Sequence, residues 1–479
     1  MKAKQKPTLL GGVVLMILAA AGAVGAAGKS GRGSFDAKAR EILEKVISIP
    51  SSLGNDKVPE VAEYLAGVLL AAGFPAEDVR VIPFQSPTDK TAMFVARYRG
   101  DGTGGKPILL LAHMDVVTAK RSDWQRDPFQ LVEENGFFYG RGTLDIKQGV
   151  TALTTLFLRF KAEKYLPRRD LILFFSGDEE TSQETTVAIV RDHRDLIDAD
   201  YALNADGGGG ELDNDTGKAL FFGLQTAEKT YADFTLTAHN PGGHSSAPRD
   251  DNAINDLAAA LVKLGQHKFP VMWNDTTIKS LGAAGKSQPG ALGSALVAFA
   301  ANPRDAAAAA TIAANPSYVG QTRTTCVATR LDGGHANNAL PQSASANINC
   351  RIFPGVKVPA VQVELQRVVG DKIEIKVVGE PMSSDPSPLR ADVVAAVTNA
   401  VHRLYPGITV GPVQDSGASD GLVFRAAGIP TYGVDMTFIR SKDEFSHGLN
   451  ERVPVKAFYD QLEMWYALVK EVSGPSTKK

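Results

Sequence analysis

Three scarcities narrow what this 479-residue chain can be. Cysteine occurs only at Cys326 and Cys350, and neither lies near the N-terminus, which argues against a lipid anchor there. Surplus basic charge is missing: 51 Lys and Arg against 53 Asp and Glu give a formal charge of −2, so nothing marks nucleic acid as an obligate partner. Long apolar runs are scarce too, and Leu9–Ala21 is too short, and too rich in Ala and Gly, to read as a membrane span. No internal repeat is evident, and the alanine run Ala306–Ala310 shows no ligand site. What is present suits a globular protein: 44% hydrophobic and 22% charged residues, over a length that calls for two or three domains.

At the N-terminus, Lys2, Lys4 and Lys6 precede Leu9–Ala21, and the small residues Val24-Gly25-Ala26 follow. This is the order of a secretory signal peptide, Met1–Ala26, and predicts a periplasmic or secreted protein; an uncleaved anchor is the alternative. Gly28–Ser34 then reads as a linker. Export would put the two cysteines in an oxidising space. They flank an expected hairpin, Thr324–Leu331 and Ala344–Phe353, with its midpoint near Asn338. Facing strands permit a disulfide; two unpaired, half-buried thiols are equally compatible with the sequence.

The chemistry gathers behind apolar strands. Leu171–Thr181 reads LILFFSGDEET: an apolar run suited to a strand buried on both faces, then a turn carrying Glu179 and Glu180. Adjacent carboxylates repel unless a cation lies beside them, so the pair is either a metal site or a solvated acidic loop. A second strand, Ile108–Ala112, leads into His113-Met114-Asp115, where His113 is a packed residue or a ligand oriented by a nearby carboxylate. GRGTLD, ending at Asp145, opens a helix whose inner face is Val150, Leu153, Phe157 and Phe160, so Asp145 is a helix cap or something more. Tyr201–Asn204 leads to Asp206 and four glycines, an Asp-Gly turn on the plainer reading. After a last strand, Ile429–Val434, comes the loop Glu444–Glu451 with His447.

Helices are expected at Phe35–Ile49 and Val61–Leu70. Between the blocks above, Tyr231–Val378 has a different pattern: a strand Phe234–Ala238, a helix Ala253–Leu264, the hairpin, a helix Val358–Val369 and a strand Lys372–Val378. That β-α-β-β-α-β order is the ferredoxin-like arrangement. It divides the chain into 35–228 and 381–475 as an α/β domain and 229–380 as an insertion. Within the insertion, His267–Gln321 is expected to be helical in pieces.

Taken together, His113-x-Asp115, GRGTLD, Glu179-Glu180, Asp206 and His447 resemble the co-catalytic zinc peptidase and amidohydrolase family that includes glutamate carboxypeptidase G, aminoacylase and succinyl-diaminopimelate desuccinylase. The likeness runs from about Phe35 to Val472. It implies an α/β catalytic domain with a mixed, largely parallel sheet and an inserted ferredoxin-like lid that can mediate a homodimer. It further implies two divalent metal ions, zinc or else cobalt or manganese, held by His113, Asp145, Glu180, Asp206 and His447, with Asp145 between them and a shared water as nucleophile. Glu179 then corresponds to the general base and Asp115 to the residue that orients His113. On the insertion, His244 matches the oxyanion-stabilising histidine, often supplied by a partner subunit. Asn338 matches a second substrate contact, and Arg351 the receiver of a substrate carboxylate. The expected function is hydrolysis of a peptide or amide bond beside a free carboxylate, as a carboxypeptidase or dipeptidase; an N-acyl-amino-acid hydrolase is the alternative. A non-catalytic binding protein on the same fold is the remote one.

Overall fold

Along the strand Ile108–His113, Ile108, Leu110 and Ala112 enter one hydrophobic core while Leu109 and Leu111 enter another on the opposite face. Leu171, Leu173 and Phe175 part from Ile172 and Phe174 in the same way along Leu171–Ser176. Successive side chains of a strand point to opposite faces, and both faces are covered here, which accounts for the unbroken apolar runs.

The computed structural model describes residues 34–475; the expected signal peptide, Met1–Ala26, lies outside them. Those two strands belong to a ten-stranded mixed sheet. At its centre Leu171–Ser176, Ile108–His113, Tyr201–Asn204 and Thr431–Gly433 lie side by side and parallel, so their carboxyl ends open on one edge. Lys90–Tyr98 and Val79–Gln85 extend one side antiparallel. Ala219–Glu228, Gly209–Leu212, Phe438–Arg440 and Thr409–Asp415 complete the other. Helices Ser34–Ser48, Val58–Ala71, Lys147–Ala162, Ala391–His402 and Val455–Ser473 cover one face, and Glu184–Asp192 and Asp420–Ala426 the other.

Among the boundaries that differ from expectation, two have plain local reasons. The second helix begins at Val58 rather than Val61, because Pro59 is tolerated in a first turn, where its missing N–H has no partner anyway. The last strand shortens to Thr431–Gly433, since Pro430 has no N–H to give the ladder. Among the described residues no helix is long and apolar enough to cross a membrane.

A separate four-stranded antiparallel sheet has the order Thr325–Gly333, Ser343–Ile352, Thr230–His239, Ile373–Val378. Helices Ala253–Gln266 and Val358–Val369 pack on it around Phe234, Leu236, Leu257, Ile348 and Leu365. Cys326 lies directly opposite Cys350 in this ladder and the two are joined in a disulfide, which resolves the choice that the sequence left open. His267–Gln321 folds into helices Asp275–Ser287, Gly290–Ala301, Ala306–Ala313 and Pro316–Val319, the first three around a small core of Leu281, Leu296, Phe299 and Ile312. The first of these helices rests on the large sheet, where Thr276 and Thr226 share a hydroxyl hydrogen bond of 2.6 Å.

Candidate metal centre and active site

Four parallel strands that end together bring their following residues together. His113 is the last residue of its strand and is buried. Its Nδ1 donates to the Asp115 carbonyl at 3.0 Å and lies 3.4 Å from the Asp115 carboxylate. A carbonyl only accepts, so Nδ1 carries the proton and Nε2 faces the centre. There it lies 3.1 Å from Asp145 Oδ1. The other Asp145 oxygen is 3.0 Å from His447 Nε2, which is also 2.9 Å from Glu180 Oε2.

Asp145 is therefore no helix cap. The helix starts at Lys147, with Ile146 at the capping position and no side-chain cap. What holds Asp145 is the buried Glu451, whose carboxylate accepts from the N–H groups of Gly142, Leu144 and Asp145 and from the Arg141 guanidinium. The Asp145–Ile146 peptide is cis. His447 adopts a left-handed backbone, with φ 62°, a conformation uncommon outside glycine.

The acidic turn after Ser176 is ordered from two sides. Asp178 accepts from the backbone N–H groups of Glu184 and Thr185 and from the Ser182 and Thr185 hydroxyls, and so caps the next helix. Asp115 accepts from the N–H of Glu179 at 3.2 Å and of Glu180 at 3.0 Å. Gln183 Nε2 donates to Glu179 Oε1 at 3.1 Å.

Ligand atoms of His113, Asp145 and Glu180 all lie within 4.8 Å of one another, as do those of His113, Glu179 and Asp206. The second group includes Glu179, expected as a base. Burial, with Asp206 and Asp420 nearby, pushes the Glu179 carboxyl well above its ordinary range despite His113. Asp206 rises likewise, through burial and the charge of Asp145. Burial also works against Asp145, but His113 and His447 outweigh it and hold Asp145 below the usual carboxylate range. His447 is raised to about 10 by Asp145 and Glu180. Carboxylates and imidazoles at such spacing form a hard donor set that fits divalent cations, and the repulsion among the acids is what a cation relieves.

A cavity of about 530 Å³ opens over this cluster, lined by Asp145, Glu179, Glu180, Asp206 and His447. Arg351 and Tyr231 reach it from the second sheet, and Val187, Met382, Leu422 and Val423 give it an apolar wall. Arg351 donates to the Ser416 carbonyl at 3.0 Å and stacks over the Tyr231 ring, with no ion-pair partner among the described residues. His244 and Asn338 lie elsewhere. His244 ends a two-residue ladder with Ala339–Leu340, Asn338 lies just before it, Ser245 N–H donates to the Asn338 carbonyl, and neither His244 nor Asn338 lines the cavity.

Apart from Asp115, the residues in the positioning roles were the ones least visible in the sequence. Glu451 sits at the end of the quoted His447 loop, yet its partners lie some three hundred positions away. Asp178 precedes the Glu pair, and its partners Glu184 and Thr185 lie in the first turn of the next helix.

An acid-rich, histidine-bearing centre at the carboxyl edge of a mixed α/β sheet, beneath a cavity lined by an arginine with no ion-pair partner among the described residues, defines a metal-dependent hydrolase. Residues 109–471 match the sequence profile of Peptidase family M20/M25/M40, and the chain belongs to that family. It is 28% identical over 445 residues to the human N-fatty-acyl-amino acid synthase/hydrolase PM20D1, covering 90% of this chain and 87% of that one. Among solved structures it resembles the M20 family metallo-carboxypeptidase Sso-CP2 from Sulfolobus solfataricus, with TM-score 0.68 and 18% identity, over 91% of this chain and 99% of that one. It also resembles the di-peptidase Dug1p from Saccharomyces cerevisiae, with TM-score 0.64 and 17% identity, over 92% and 96%.

Proposed function

We propose that this enzyme cleaves an amide bond beside a free carboxylate, with Glu179 as general base and two divalent ions, zinc by preference, held by His113, Asp145, Glu180, Asp206 and His447. The observation that carries the reading is the shared cavity: Glu179 and the unpaired Arg351 open onto one space above the ligand cluster. Bound there, the ions would act as Lewis acids on the scissile carbonyl and make water a competent nucleophile near neutral pH. Arg351 receives the substrate carboxylate through its planar fork and so sets the amide over the acidic cluster. Glu179, steadied by Gln183, takes the proton of the attacking water and returns it to the departing nitrogen.

A carboxypeptidase or dipeptidase is the first reading. The apolar wall of Val187, Met382, Leu422 and Val423 favours the second, an N-acyl-amino-acid hydrolase, as does similarity to a relative named for N-fatty-acyl amino acids. A panel of dipeptides and N-acyl amino acids, assayed with chelator and after zinc or cobalt restoration, separates them. Turnover lost on chelation and regained with metal supports the enzyme, and the preferred set names the class. Unchanged turnover in Glu179→Ala would remove the proposed base.

The segment 229–380 acts as a lid in this reading. Its edge strand Thr325–Gly333 leaves one side of the ladder unpaired and exposes Val327 and Leu331. Such an edge suits a second copy, whose His244 and Asn338 would then be free to reach the first copy's cavity. Light scattering that found only monomer at assay concentration would remove this route. Export is supported by the Met1–Ala26 pattern and by the disulfide.

A further inference from the structure

A second cavity, of about 450 Å³, shares no lining residue with the first. It lies between the last turns of the helix Ala253–Gln266, residues 313–319 and the start of the edge strand Thr325–Gly333. Leu261, Leu264, Phe269, Val319 and Ile348 make its walls apolar. The charge-bearing side chains on its lining are Arg323, Lys268 and His267, with no Asp or Glu among them. His267 has a carboxylate beside it, with Nε2 3.1 Å from Glu364 though no hydrogen bond joins them, and Lys268 is exposed.

Arg323 is different. It is only 8% exposed, and its Nε is buried without a hydrogen-bond partner. Its guanidinium has no ion pair among the described residues; only its backbone carbonyl is used, accepting from Lys229 Nζ at 3.0 Å. A guanidinium mostly withdrawn from water, with its Nε fully so and unpaired, is unfavourable, and an anion in the adjoining space relieves it. The fork matches a carboxylate, and the apolar walls require that the carboxylate carry a hydrocarbon tail. Inorganic phosphate or a nucleotide would leave those walls unused. The volume falls within the range of small-molecule sites.

We propose that this cavity binds an unbranched alkanoate, its carboxylate on Arg323 and its alkyl chain along Leu261, Leu264, Phe269 and Ile348.

Isothermal titration of the metal-loaded, full-length protein with dodecanoate tests this, with dodecanol as the uncharged control. Three variants are compared with wild type. Arg323→Met removes the fork. Ala314→Trp fills the cavity from an exposed lining position, so the core is left intact. Arg351→Met reports any binding at the metal centre instead. The expected result is dodecanoate binding that weakens at least tenfold in both Arg323→Met and Ala314→Trp, persists in Arg351→Met, and exceeds dodecanol binding at least tenfold in wild type. Binding that survives Ala314→Trp, disappears only in Arg351→Met, or is equally strong for dodecanol would overturn the proposal, as would no binding at all.

Discussion

Asp115 holds Glu179 by the backbone rather than by the side chain: one carboxylate oxygen accepts the Glu179 N–H at 3.2 Å, while the other accepts that of Glu180 at 3.0 Å. The Asp115 carbonyl also fixes His113 Nδ1. One residue thus sets an imidazole, the proposed base and a proposed ligand in register. Replacing such an outer partner of a metal site typically costs about 10–100-fold in metal affinity or activity. We expect Asp115→Ala to lose that much in kcat/KM and in zinc retention on dialysis, with Asp115→Asn losing less because it keeps one acceptor oxygen. Wild-type values for both variants would leave Asp115 as a packing residue.

Glu451 does for Asp145 what Asp115 does for Glu179. It is fully buried, paired with the nearly buried Arg141, and accepts three backbone N–H groups of the loop that carries Asp145. Burial pushes its carboxyl up to about 7, against the pull of Arg141. Removing one partner of a buried ion pair leaves the other charge uncompensated, at about 3–5 kcal/mol. Glu451→Ala should lose stability on that scale in urea unfolding, and zinc affinity with it. A loss under about 1 kcal/mol, no more than an exposed ion pair is worth, would show that the loop is held by other contacts.

Much of the large sheet was legible because a strand covered on both faces must be apolar throughout, and Leu171–Ser176 and Ile108–His113 are. The site was legible in outline because His113, the Glu179–Glu180 pair and Asp206 lie at or just beyond the ends of such strands. Asp145 misled in part: a carboxylate just before a helix reads as a cap, and only the tertiary contacts to His113 and His447 show otherwise. Glu451 and Arg141 could not be paired from sequence, since nothing local links residues 310 apart. His244 and Asn338 entered only through the family resemblance, which gave neither their closeness to each other nor their distance from the cavity.

Lys229 gives a pH signature away from the metal cluster. It is 1% exposed and donates to the Arg323 carbonyl and the Thr325 hydroxyl, a pair of acceptors that a neutral amine can serve. Burial, with Arg351 nearby, lowers its pKa to about 7. In the unfolded chain a lysine holds its proton up to about pH 10.4. Between these values the unfolded state binds more protons, so this residue makes stability rise with pH from about 7 to 10, by at most ~1.4 kcal/mol per unit. Lys229→Met should flatten that slope in unfolding curves taken at pH 7, 8 and 9. A slope equal to wild type would mean that Lys229 stays charged when folded.

Arg351 should control binding more than chemistry. Its fork faces the cavity with a carbonyl as its hydrogen-bond acceptor, and hydrogen bonds to charged groups are worth about 1.5–3 kcal/mol. A carboxylate that is bound equally in the ground and transition states contributes to KM and leaves kcat alone. Arg351→Met should therefore raise KM about 10–100-fold for substrates with a free carboxylate while kcat changes little. Arg351→Lys should recover only part, because a point charge cannot reproduce a two-point contact. The same variants assayed on a substrate amidated at that carboxylate should match wild type. If they lost as much there, Arg351 would be shaping its own strand next to Cys350 rather than reading the carboxylate, and the disulfide variant Cys326→Ser would then be expected to show the same loss.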